Sequence, residues 1–77
     1  MTTAELQKLF IKRVRERMHI LHIDQRELAR RANISEVTIS RYINGTRIPR
    51  IDILVKIAQA LECRPGDLIN IDELLEF

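Results

Sequence analysis

The stretch DQRELARRANISEVTISRYING, residues 24–45, decides the fold: it reads as two short helices joined by a tight turn. Asp24 can cap the free N–H groups at the start of the first, and Glu27 three residues later can reciprocate. Leu28, Ala29 and Ala32 form its inner face. Asn33 stands where the chain must reverse, and Asn tolerates the left-handed conformation best after Gly. Ser35 then caps the next helix, and Ile34 can pack on Ile39 as a hydrophobic staple. Ile39 and Tyr42, with Ile34, are best placed for the core. That leaves Glu36, Val37, Thr38, Ser40, Arg41 and Asn44 pointing outward or sideways.

Gln25, Leu28, Ala29, Ile34, Ser35, Thr38, Ile39, Ser40, Tyr42, Asn44, Gly45 and Pro49, followed by LVKIAQAL and DLI, resemble the helix-turn-helix family of the phage repressor and Cro type, also called XRE-like. The resemblance covers roughly residues 10–69. It implies an all-α fold, a five-helix repressor-like bundle with helices 2 and 3 as the motif. Two positions depart from the pattern. Asn33 replaces a common Gly of the turn, and Ile43 replaces an acid often found before the Asn-Gly pair, which removes an expected ion pair to helix 1.

Size and composition agree with one helical domain over residues 1–77. The chain is 45% hydrophobic with two Phe, one Tyr and no Trp, so its core is built from Leu, Ile, Val and Ala. No run of about 18 apolar residues could span a membrane, and MTTAELQKLF lacks the charge-then-apolar order of a signal peptide. A cytoplasmic protein is expected. The single Cys63 permits no internal disulfide and reads as a small buried hydrophobe. The net charge of +2 hides an asymmetry: residues 1–50 hold 11 Lys and Arg against 5 Asp and Glu, and residues 51–77 hold 2 against 6. Basic charge gathers where the motif lies, as a polyanionic partner requires.

Along the chain, Thr2 and Glu5 have capping-box spacing, and the first helix is expected from about residue 3 to about His22. Leu6, Phe10, Val14, Met18 and Leu21 form its buried stripe, with Lys8, Lys12, Arg15 and part of Arg13 and Arg17 outside. Its lead before residue 10 exceeds the family minimum and could pack against the C-terminal tail. His19 and His22 have a spacing that can hold a metal, but nothing completes a site, so neither metal nor cofactor is expected. The loop TRIPR leads to a fourth helix from about Ile51 to Leu61, with Ile51, Leu54, Ile57, Ala58 and Leu61 as its core face. Pro65 opens a short fifth helix, GDLIN. Residues 70–77 form an amphipathic extension, capped by Asn70. With Ile69, its Ile71, Leu74, Leu75 and Phe77 either cover the first helix within one subunit or form a subunit contact.

The resemblance also implies a mechanism. It places Glu36, Val37 and Arg41 at base-reading positions in the major groove, where Arg can bond both acceptors of a guanine, Glu can accept from cytosine and Val can touch a thymine methyl. Gln25 matches a residue gripping the DNA backbone from a helix N-terminus, helped by Ser35, Thr38, Ser40, Asn44, Thr46 and Arg47. Arg50 matches a position that can reach the minor groove. Such domains usually bind double-stranded DNA as homodimers, with half-sites about 34 Å apart. The expected function is therefore a transcriptional regulator, a repressor or autoregulator reading a palindromic operator. The alternative is an antitoxin-type or other protein-interaction module of this fold, whose partner is a toxin or effector. No nucleophile-base pairing or phosphate loop supports an enzyme.

Overall fold

The structure, a computed structural model, describes residues 2–45 and 48–69. Those residues form five helices in the order α1 (Thr3–Leu21), α2 (Gln25–Ala32), α3 (Glu36–Asn44), α4 (Ile51–Ala60) and α5 (Pro65–Leu68). There is no strand among the described residues. The helix starts follow from short polar side chains. Thr2 accepts a hydrogen bond from the Glu5 N–H at 3.2 Å, Asp24 from the Glu27 N–H at 2.8 Å and Ser35 from the Thr38 N–H at 3.1 Å. At α5, with Pro65 in its first position, the Asp67 carboxylate accepts from the Arg64 N–H at 2.9 Å.

Three helices end the same way, and none of the three uses glycine. His22, Asn33 and Glu62 are left-handed, with φ of 56°, 54° and 56°. In each case the residue after the left-handed one donates its N–H five residues back: Ile23 to Met18, Ile34 to Ala29 and Cys63 to Ala58, all at 3.0 Å. That residue is apolar each time, and Ile23, Ile34 and Cys63 all pack against the core. This is the Schellman closure, in which the reversal satisfies orphan carbonyls while it buries an apolar side chain.

The core is a single cluster drawn from all five helices. α1 supplies Phe10, Val14 and Met18, α2 Leu28, Ala29 and Ala32, and α3 Ile39 and Ile43. α4 supplies Leu54, Ile57, Ala58 and Ala60, followed by Leu61, and α5 supplies Leu68. α2 packs on α3 and α4, while α1 packs on α3 and α5. Arg17 closes the side of the bundle where α4 ends, donating to the Leu61 carbonyl at 3.0 Å and the Glu62 carbonyl at 3.3 Å. Arg31 on α2 meets the Glu62 carboxylate at 3.6 Å.

Several sequence expectations need correction. Ile43, not Tyr42, takes the second fully buried position of α3: Ile43 is 4% exposed, whereas Tyr42 is half-buried. Ile51 is 78% exposed rather than part of the core, because the buried arc of α4 turns toward Ile53, Ile57 and Ala60. Glu27 does not reciprocate the α2 cap; its carboxylate accepts instead from Arg30 and Arg31. Cys63 is half-buried, and burial raises its thiol pKa. The tail positions Ile71, Leu74, Leu75 and Phe77 lie outside the described residues.

A buried apolar residue now stands where the family resemblance places an acid. Restoring a charge there with Ile43→Glu leaves a carboxylate unpaired in the cluster, a change expected to cost roughly 3 kcal/mol or more. A domain of this length has only about 4–11 kcal/mol to lose. Urea denaturation of the variant checks this, and a loss under about 1 kcal/mol would mean that the site reorganises or admits water.

Candidate nucleic-acid interface

The exposed face of α3 follows from its buried one. Ile39 and Ile43 are 1% and 4% exposed and point the helix into the bundle. On the far side, Val37, Arg41 and Asn44 are exposed. Spacings of four and three residues put them in one stripe along the axis. Glu36 is also exposed, at the first helical position, but lies about 100° around the helix from Val37. Thr38, Ser40 and Tyr42 flank the stripe and are half-buried.

Four expected backbone contacts also hold α3 itself. The Ser35 hydroxyl donates to the Thr38 hydroxyl at 2.7 Å while accepting the Thr38 N–H. Thr38 therefore keeps its own hydroxyl proton free to donate outward. At the other end Asn44 donates to the Ser40 hydroxyl at 3.1 Å, and its carbonyl accepts from Arg15 at 3.4 Å. Ser40 likewise retains a proton to offer, and Asn44 a second N–H. Thr38, Ser40 and Asn44 can do both jobs, whereas Ser35 has given its one hydroxyl proton to Thr38.

Gln25 occupies the first position of α2 and is half-buried, directly after the Asp24 cap. Arg26 beside it is exposed. Glu27 and Arg30 form a surface pair one turn further on, and Arg31 adds a second contact. The Arg30 hydrogen bond, then that of Arg31, holds the Glu27 carboxyl down from an ordinary 4.5 to about 2. Glu27 thus stays ionised under ordinary conditions. Its depressed pKa means the pair contributes above about pH 4.5 and is lost as pH falls toward 2. Arg30 is correspondingly partly neutralised, which leaves Arg26 near the start of α2 and Arg41 in the last turn of α3 as less encumbered cations.

Arg50 precedes α4 with its side chain 82% exposed, 3.7 Å from Asp52. Thr46 and Arg47 lie outside the described residues. Ile69 follows α5 and packs against the core within the chain. His19 and His22 have ring centroids 6.5 Å apart, and no cluster of three or more His, Cys, Asp or Glu able to hold a metal occurs among the described residues. None of the described helices is long and apolar enough to cross a membrane.

Two contributors were not foreseen. The Gln7 side-chain amide donates to the Gly45 carbonyl, and Arg15 reaches Asn44, so α1 grips the end of α3 at two points. Both partners lie about 30 to 40 residues away in sequence, so no local pattern announces them. Gly45 has its own constraint: a Cβ there would sit 1.7 Å from the Arg41 carbonyl oxygen. Because that neighbour is backbone, Gly45→Ala is expected to cost roughly 1–3 kcal/mol. Thermal and urea unfolding measure this, and an unchanged stability would mean that the chain leaves α3 along another path.

Comparison with known proteins places this geometry. The family model for the Cro/C1-type HTH DNA-binding domain matches residues 13–75. Two solved structures are similar at 31% identity and a TM-score of 0.72. The first is the P22 c2 repressor protein in complex with synthetic operator 9T in the presence of Tl+; the match covers 80% of this chain and 94% of that one. The second is the DNA-binding domain of the P22 c2 repressor (1–76) in solution, with 88% and 84% covered. No curated protein matches at a significant level.

Proposed function

Since this chain belongs to the Cro/C1-type helix-turn-helix family of DNA-binding regulators related to phage repressors, and not to a family of enzymes, we propose that it reads a palindromic operator as a homodimeric repressor or autoregulator. The observation that carries this reading is the α3 stripe of Val37, Arg41 and Asn44, exposed on a helix whose opposite side is pinned by Ile39 and Ile43. A helix of this diameter fits the major groove and brings about four side chains to base edges. Arg41 bonds the two acceptors of a guanine, Val37 contacts a thymine methyl, and Glu36 accepts from a cytosine at the rim. Gln25, at the positive end of α2, holds a phosphate, with Thr38, Ser40, Asn44, Thr46 and Arg47 adding grips. Arg50 reaches toward the minor groove between half-sites. The solved complex of the P22 c2 repressor with an operator supports the choice of partner.

One such domain covers only a half-site, so dimerisation brings two α3 helices about 34 Å apart on one face of the duplex. Selection from a random duplex library at two salt concentrations tests both parts of the reading. A palindromic consensus with half-sites about one turn apart is expected. Sequence-blind binding that disappears with salt would overturn it.

The roles within the site separate by a second measurement. Arg41→Ala is expected to cost about 1–3 kcal/mol on the selected site and to relax one base position, while Gln25→Ala weakens selected and random DNA to similar extents. Equal losses for both variants on both DNAs would remove Arg41 from base readout.

A further inference from the structure

The basic face of α1 is not accounted for by the motif. Lys8, Lys12 and Arg15 are exposed and recur at spacings of four and three, so they share one side of the helix. Lys8 and Lys12 stand one turn, about 6 Å, apart. Glu5 and Glu16 lie nearby on the same helix, yet among the described residues neither lysine forms an ion pair with them or with any other carboxylate.

The position of this face is set by contacts already described. Gln7 is tied to the Gly45 carbonyl and Arg15 to the Asn44 side chain, while Ile11 between them packs on the core. The ridge 7–11–15 therefore abuts the C-terminal end of α3. Lys8 and Lys12 occupy the next ridge outward on that same side. On the opposite flank Arg17 faces the turn after α4. The two free ammonium groups thus extend the exposed surface that begins with Asn44. Gln7, Lys8 and Lys12 all precede residue 13, where the family match begins, so the family pattern does not supply this feature.

We propose that Lys8 and Lys12 form a second strip of phosphate contacts, gripping the duplex backbone outside the bases read by α3; this rests on the DNA-reading role proposed for that helix. The strip contributes affinity and no sequence preference, because an ammonium is a point charge and phosphates are the same at every base pair.

Salt titration of the full chain on duplex DNA tests it. Each lost phosphate contact lowers the slope of log affinity against log salt by about 0.9 and costs on the order of eight-fold in affinity at about 0.1 M salt. The Lys8→Gln/Lys12→Gln double variant is thus expected to lose close to two units of slope for each bound subunit, nearly four for a homodimer, on selected and random duplexes alike, with an unchanged base consensus. Lys56→Gln on α4 is the control for loss of a lysine on another face: Lys56 shares its surface with Arg31, Gln59 and Glu62, and its loss should leave the slope nearly unaltered. Circular dichroism confirms that each variant is folded. A double variant whose slope matches the Lys56→Gln control overturns the strip. If instead the wild type selects no consensus, the operator reading fails, while the slopes on random DNA still decide whether these lysines meet phosphate.

Discussion

The reversal at Asn33 is the constraint on which the rest depends. Between α2 and α3 there are only Asn33, Ile34 and Ser35, so the direction of α3 follows from how that short link is closed. The left-handed Asn33 and the Ile34 N–H bonded to the Ala29 carbonyl fix it. A left-handed L-residue costs roughly 1–2 kcal/mol, less for Asn, whose short side chain tolerates the region. The closure offsets this by satisfying carbonyls that would otherwise be orphaned and by burying Ile34 against the core. The same exchange recurs at His22 and Glu62. All three reversals are held by burial of the following apolar residue rather than by the freedom of a glycine.

From that start α3 is held along its whole length. Ser35 caps its first turn, Ile39 and Ile43 anchor its middle, and Gln7 and Arg15 take hold of its last residues from α1. A family pattern that uses an acid at position 43 relies on an ion pair for this last link. Here the buried link is apolar, and the polar contacts have moved to the rim at Gly45 and Asn44. Replacing a buried ion pair by packed hydrocarbon removes a desolvation cost, so nothing in the exchange weakens the support under the stripe. A rigid presentation matters because a side chain that must be ordered on binding costs about 0.5–1.5 kcal/mol of the interaction.

The motif was legible because its signals are local. Asp24 and Ser35 as caps, Asn33 as the reversal and the buried stripe of α1 each need only neighbours within a few residues, and each stands in the structure as read, except that Leu21 at the end of the stripe is half-buried. The choice between Tyr42 and Ile43 was not legible in that way: positions three and four beyond Ile39 both satisfy a helical period, and only the placement of α1 against α3 selects Ile43. Ile51 misled for the same reason, since helical spacing gives a stripe but not the limits of what covers it. Glu27 had two possible local partners, the free N–H at the cap and the guanidinium one turn on, and the charged one won. The αL residues His22 and Glu62 carry no compositional mark, because the following apolar residue does the holding. Gln7 and Arg15 act across 38 and 29 residues, beyond any pattern in a window.

The chemistry of the stripe itself argues for discrimination over simple adhesion. A surface built only to hold a polyanion would be expected to carry cations throughout, yet the exposed side of α3 offers an acid at Glu36, a 63% exposed valine and one arginine. Glu36 sits at the positive end of its helix, which favours its charge in the free protein, and it repels phosphate unless a donor such as a cytosine amino group faces it. Val37 gains nothing from water and gains only where a methyl or another apolar group meets it. On the proposed reading the stripe therefore penalises wrong sequences more than it rewards DNA in general. Affinity must then come from elsewhere on the same side: the α2 N-terminus, the loop after α3 and the lysines of α1. Such a division lets salt-dependent adhesion and base selection change independently, through residues on different elements.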